Sequence, residues 1–232
     1  MDDRELRELE LLGVASLYGL QARHASPAPG AERSTETPPV DVSRASWAEL
    51  RTLVTECRAC VLCKQRKQAV FGVGAETAPW MFIGEGPGAD EDEQGDPFVG
   101  QAGRLLDSML AAIGCRRGRE VYIANVVKCR PPGNRTPTAA EAAACAPFLD
   151  RQIELAAPKL IVALGKTAAT RLLGTESSLA GLRGRVHRYR GIPVVVTYHP
   201  AYLLRTLADK AKAWEDLVFA RRTLASTGAS PP

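Results

Sequence analysis

Cys57 and Cys60 are separated by two residues, a spacing that lets one turn aim both thiolates at a single ion or cluster. Cys129 and Cys145 form a wider pair, divided by PPGNRTPT and the opening of a helical stretch, unlike the close second pair of a zinc ribbon. Spacing alone does not separate zinc from iron–sulfur. Cys63 reads as a substitute ligand or a packed thiol, and Cys115 has no partner near it in sequence. Each of these cysteines also fits the description of a small buried hydrophobe.

A second chemical segment, Gly84-Glu85-Gly86-Pro87-Gly88, follows an apolar run. It lacks the GK[ST] ending of a phosphate loop and the dinucleotide fingerprint, which argues against a nucleotide cofactor. Its glycines suit a tight turn whose backbone N–H groups approach a planar ligand closely. Asp90, Glu91, Asp92, Glu93 and Asp96 read as a divalent-metal site or, more commonly for such runs, as a solvated acidic loop. Phe98 reads either as core packing or as a stacking platform for a flat base.

The elements that must position these residues alternate. Apolar runs at 80–84, 121–127, 159–165 and 193–198 have the length of buried strands. Helical stretches lie between them at 102–113, 139–155 (opened by Thr138 as N-cap) and 167–173. Such alternation predicts an α/β fold with a mainly parallel sheet covered on both faces. Ligands of these sheets bind beyond the carboxyl ends of the strands. GEGPG, the stretch from Asn125 to Cys129, and Tyr198-His199-Pro200 all fall there.

The chain of 232 residues, 45% hydrophobic and 24% charged, suffices for one full-sized core with appendages. Residues 1–22 read as an N-terminal helix, 23–45 as a flexible Pro/Ser/Ala-rich linker, 46–225 as the folded domain and 226–232 as a disordered tail. A net charge of +4 suits a polyanionic partner without requiring one. The acidic start, MDDRELRELE, is unlike a secretion signal, and no apolar run approaches the roughly 18 residues of a membrane helix. A cytoplasmic protein without a membrane partner is expected, in which cysteines serve as ligands or buried thiols rather than disulfides.

Taken together, GEGPGADEDEQGDPFVGQAGRLLD, YIANVVKCRPPGNRTPT and LRGRVHRYRGIPVVVTYHPAYLLR resemble the family 4 uracil-DNA glycosylases. The resemblance runs from about Cys57 to Leu217. It implies a three-layer α/β/α sandwich around a central, mainly parallel four-stranded sheet. It also implies a [4Fe-4S] cluster held by Cys57, Cys60, Cys129 and Cys145, leaving Cys63 and Cys115 outside the set. A related branch becomes trapped on DNA through a histidine in a basic insert; CRPPGNRTPT has neither, so turnover is expected.

The same resemblance assigns roles. Asn125 reads uracil, donating to O4 and accepting from N3–H, where cytosine presents the reverse pattern; without the resemblance, a buried amide bonding the backbone at a strand end is the lesser alternative. Phe98 stacks on the flipped base, Glu91 lies near C5, and the Gly86 turn completes the pocket. His199 donates to O2 as negative charge develops. The resemblance assigns no water-activating base, because Gly86 stands where a sibling family has an aspartate; the neighbouring Glu85 orients water, stabilises the cationic sugar, or bonds the loop backbone. The expected partner is uracil-containing DNA, single- or double-stranded, bound near the nucleoid by a monomer. Lys128, Arg130, Arg135, Arg183, Arg185 and Arg205 would contact phosphates, and Leu203 or Leu204 would fill the gap left by the base. The N-terminal helix is a candidate for docking a protein partner. Two other readings compete: a metal-dependent nuclease using the acids from Asp90 to Asp96, and a non-catalytic DNA-binding module with a redox cluster.

Overall fold

The computed structural model describes residues 41–226. The expected helix over 1–22, most of the linker and residues 227–232 lie outside the described residues. Val42 and Ala45, which composition places in the linker, are buried against the core, so the folded domain begins earlier than expected.

The four expected strands form the centre of the sheet: β2 (Trp80–Gly84), β3 (Val121–Asn125), β4 (Leu160–Leu164) and β6 (Ile192–Thr197). All four are parallel, paired β3–β2–β4–β6. Among the described residues the sheet has six strands rather than four. β1 (Val73–Gly74) and β5 (His187–Tyr189) pair antiparallel on the two edges. Two and three residues are too short to show a period in sequence, and β5 is polar and part-exposed, as edges usually are.

The apolar runs are continuous because both faces are covered. Along each strand, alternate side chains enter two separate cores. Met81, Ile83, Ala124, Ile161 and Val196 face α1 (Trp47–Glu56), α4 (Ala139–Ala156) and α5 (Lys166–Leu173). Trp80, Phe82, Ile123, Val162 and Val195 face α3 (Gln101–Ala112) and α8 (Lys210–Ser226), through Leu106, Leu110, Leu217 and Leu224. Three layers result, and each fully buried Leu or Ile stabilises them by about 2 kcal/mol. Shorter helices α2 (Ala89–Gln94), α6 (Leu179–Leu182) and α7 (Pro200–Leu203) lie in the connections.

The N-terminus of α4 is set by a capping box, with Thr138 Oγ1 accepting from the Glu141 amide and Glu141 accepting from the Thr138 amide. Arg135 makes a two-pronged ion pair with the same carboxylate, holding Glu141 down to about 2. This anchoring matters because α4 carries Cys145 one turn further on. Among the described residues, no helix is long and apolar enough to cross a membrane.

Candidate active site

A cavity of about 480 Å³ opens at the carboxyl ends of β2, β3 and β6. Glu85, Gly86, Glu91, Phe98, Asn125 and His199 all line it, so the residues singled out in three distant segments converge.

Asn125 ends β3 and is 2% exposed. Its Oδ1 is buried without a hydrogen-bond partner among the described residues. Leaving a buried acceptor unpaired costs about 1–3 kcal/mol, so the fold holds an amide oxygen in readiness at this wall of the cavity.

His199 follows β6 and caps α7. Its Nδ1 accepts from the Ala201 amide at 3.2 Å. The neutral ring therefore carries its proton on Nε2 and can donate from there. Burial, reinforced by the Arg205 guanidinium, lowers the imidazole to about 4, so it is neutral at physiological pH. Gly165, at φ +88°, lets β4 end against this residue, since a Cβ there would stand 3.0 Å from His199 Cβ. The turn is braced from behind: Thr197 Oγ1 and Arg183 both donate to Asp216, and the Arg183 guanidinium lies 4.6 Å from the Tyr198 ring centre.

The Phe98 ring lies 5.4 Å from the imidazole, centre to centre. Its backbone is left-handed at φ 56°, a strain of about 1–3 kcal/mol in a non-glycine residue. Arg117 holds it there, donating to the carbonyls of Pro97 (2.6 Å) and Phe98 (2.7 Å). Glu91 ties the same loop to the glycine turn, accepting from the amides of Gly88, Val99 and Gly100 at 2.9 to 3.1 Å. Both of its oxygens are thus engaged by backbone. Glu85 accepts from the Thr167 hydroxyl at the start of α5. Neither Arg117 nor Thr167 stands out in sequence, because each acts through a partner far along the chain.

The acids from Asp90 to Asp96 do not converge. Asp92 is buried and accepts from the Lys67 amide at 2.9 Å, while Glu93 pairs with the Lys67 side chain. Several expected surface groups are also relocated. Lys128 is 1% exposed and bonded internally, so it cannot meet a phosphate. Arg183 is committed to Asp216. Arg135 and Arg205 line the cavity, Arg130 bonds Asn134, and Arg185 is exposed. Leu203 is buried and excluded as a wedge, whereas Leu204 is on the surface.

Cys57, Cys60, Cys63, Cys129 and Cys145 line a second, small cavity between the end of α1, the β3–α4 connection and α4. Arg66 Nη1 donates to Cys129 Sγ at 2.8 Å, the Lys128 amide to Cys145 Sγ at 3.3 Å and the Ala59 amide to Cys57 Sγ at 3.4 Å. Donors aimed at sulfur fit thiolates that hold a metal group. Among the described residues no three His, Cys, Asp or Glu side chains close on one point to hold a single ion. Cys115 lies in the opposite core, where burial pushes it up to about 11.

Residues 71–218 match the family model described as the uracil DNA glycosylase superfamily, and the chain belongs to that superfamily. Within it the chain is similar to type-4 uracil-DNA glycosylases. The Thermotoga maritima protein of that name is 46% identical over 170 residues, 71% of this chain and 88% of the relative. The Pyrobaculum aerophilum protein is 45% identical over 177 residues, 73% and 90%, and that of Archaeoglobus fulgidus 45% over 159, 65% and 79%.

Proposed function

We propose that this chain is a monofunctional type-4 uracil-DNA glycosylase, hydrolysing the bond between uracil and deoxyribose to begin base-excision repair. The observation that carries the reading is the buried Asn125 Oδ1, unpartnered among the described residues, in a cavity shared with Phe98 and a neutral His199.

The target base leaves the duplex at a cost of a few kcal/mol, smallest when it is mispaired. Phe98 stacks on the entering ring. Asn125 Oδ1 accepts from N3–H and Nδ2 donates to O4, a match that cytosine inverts. As the glycosidic bond lengthens, charge flows onto O2, where the Nε2 proton of His199 meets it; one such donor contributes about 3 kcal/mol in a dry site. A neutral imidazole suits this task, since it donates without first being ionised. Glu85, oriented by Thr167, faces the water or the cationic sugar. Glu91 keeps the walls of the pocket at a fixed separation.

Cys57, Cys60, Cys129 and Cys145 would hold a [4Fe-4S] cluster, with Cys63 at the edge of the same cavity. When bound it supplies a structural tie between the end of α1, the segment after Asn125 and α4. Arg205, which lines the cavity, meets phosphates with Arg130 and Arg185, whereas both Arg135 Nη groups are held by Glu141.

Incubating uracil-containing DNA with the protein, once in chelator and once with a divalent cation, and then treating with alkali tests the proposal. Released uracil, with strand breaks only after alkali, supports it. Breaks before alkali that require a divalent cation would indicate a nuclease, and salt-sensitive binding without uracil release a binding module.

A further inference from the structure

Lys128 is one of the largest fully buried side chains in the protein. Its Nζ donates to the main-chain oxygen of Asn125 at 2.8 Å and to Gln152 Oε1 at 2.6 Å. Gln152 has no freedom to turn, because its Nε2 donates to the Phe71 carbonyl (2.9 Å) and contacts the Tyr122 hydroxyl (3.2 Å). Both acceptors of the ammonium are neutral, and no carboxylate pairs with it in any ion pair among the described residues.

A buried ammonium without a counter-charge is strongly unfavourable. Lys128 itself lines the cysteine cavity, where the ligand thiolates of a bound group would bring negative charge. Its own amide donates to Cys145 Sγ and Cys129 follows it in the chain. Thiolates bring more negative charge than the inorganic core they surround carries positive, so the filled cavity is net anionic. Lys128 thus stands between that charge and the residue that reads the base.

From this juxtaposition we infer that Lys128 is a positioning residue, whose buried ammonium fixes the Asn125 main chain and draws its charge balance from the occupied cysteine cavity. The inference rests on the glycosylase reading above. It makes cluster occupancy and base recognition interdependent through one side chain.

The test compares wild type, Lys128→Met and Gln152→Leu, each purified with its metal group and matched for iron per chain. Three quantities are read: the dissociation constant for free uracil, single-turnover excision, and the midpoint potential of the cluster. In Lys128→Met, uracil binding is expected to weaken about fivefold or more and excision about tenfold or more. Its potential is expected to fall, because loss of a nearby cation disfavours the reduced, more negative state. Gln152→Leu retains the charge, so uracil binding should weaken severalfold with the potential near wild type. Lys128→Met with unchanged uracil affinity and potential overturns the inference. If Lys128→Met does not load iron, Gln152→Leu decides: wild-type uracil affinity overturns the inference and weakened affinity supports it. A wild-type protein that releases no uracil would instead sink the underlying functional reading.

Discussion

Gly84 ends β2 directly beside Asn125 at the end of β3, and a Cβ on Gly84 would stand 2.5 Å from both Asn125 Oδ1 and Phe98 Cζ. The absence of a side chain is what lets the reading amide and the stacking ring share one wall. Gly84→Ala should displace one or both, costing about 1–3 kcal/mol of stability through overpacking. Excision should fall further, by about tenfold or more, because the displaced atoms are those that touch the base. Thermal unfolding and single-turnover excision, measured together, check the split.

His199 makes a prediction about pH. Its folded value, about 4, lies below the usual 6.5, chiefly through burial. The unfolded chain therefore binds the proton more readily, and this residue removes stability as pH falls from about 6.5 toward 4. Above that window its contribution is constant. Excision should show no loss attributable to His199 near pH 6.5, only below about 5. A pH–rate profile of single-turnover excision, with His199→Gln for comparison, tests this; an inflection near 6.5 present in wild type and absent in His199→Gln would contradict it.

Thr167→Val removes the hydroxyl that orients Glu85 while keeping its shape. If Glu85 acts on water or the cationic sugar, kcat should fall about threefold to tenfold with KM little changed. Glu85→Gln should remove most of the sensitivity to the Thr167 substitution, which a double-mutant cycle reveals.

Leu203 and Leu204 separate folding from DNA distortion. Leu203→Ala should destabilise the protein by about 2–5 kcal/mol, since the side chain is buried. Leu204→Ala, on the surface, should leave stability within about 0.5 kcal/mol. It should slow excision from duplex DNA more than from single strands, where no stack must be held open. Denaturant titration and excision on the two substrates distinguish them.

The central sheet and the ring of candidate residues were legible because burial on both faces forces long apolar runs, and ligand sites fall where parallel strands end. Asn125, a polar residue inside the second run at 121–127, and His199, just past the fourth, could be found toward the carboxyl ends of such runs. Edge strands β1 and β5 were not legible, since so few residues carry no period. Lys128 was misread as a surface cation because a lysine's burial depends on neutral acceptors, here the Asn125 carbonyl and Gln152, that tertiary packing alone brings together. Arg117 and Thr167 were invisible for the same reason: each acts on a loop set by contacts distant in sequence. Leu203 and Leu204, adjacent and chemically identical, differ only in the direction that α7 turns them.

The most direct test of the account is single-turnover base release from matched DNA strands carrying uracil or cytosine, by wild type and Asn125→Asp. Wild type should release uracil and leave cytosine in place, and Asn125→Asp, unable to present the same donor and acceptor pair, should lose uracil release by about a hundredfold or more at a temperature where circular dichroism shows the variant folded. Uracil release by Asn125→Asp at the wild-type rate would contradict the claim that this amide reads the base.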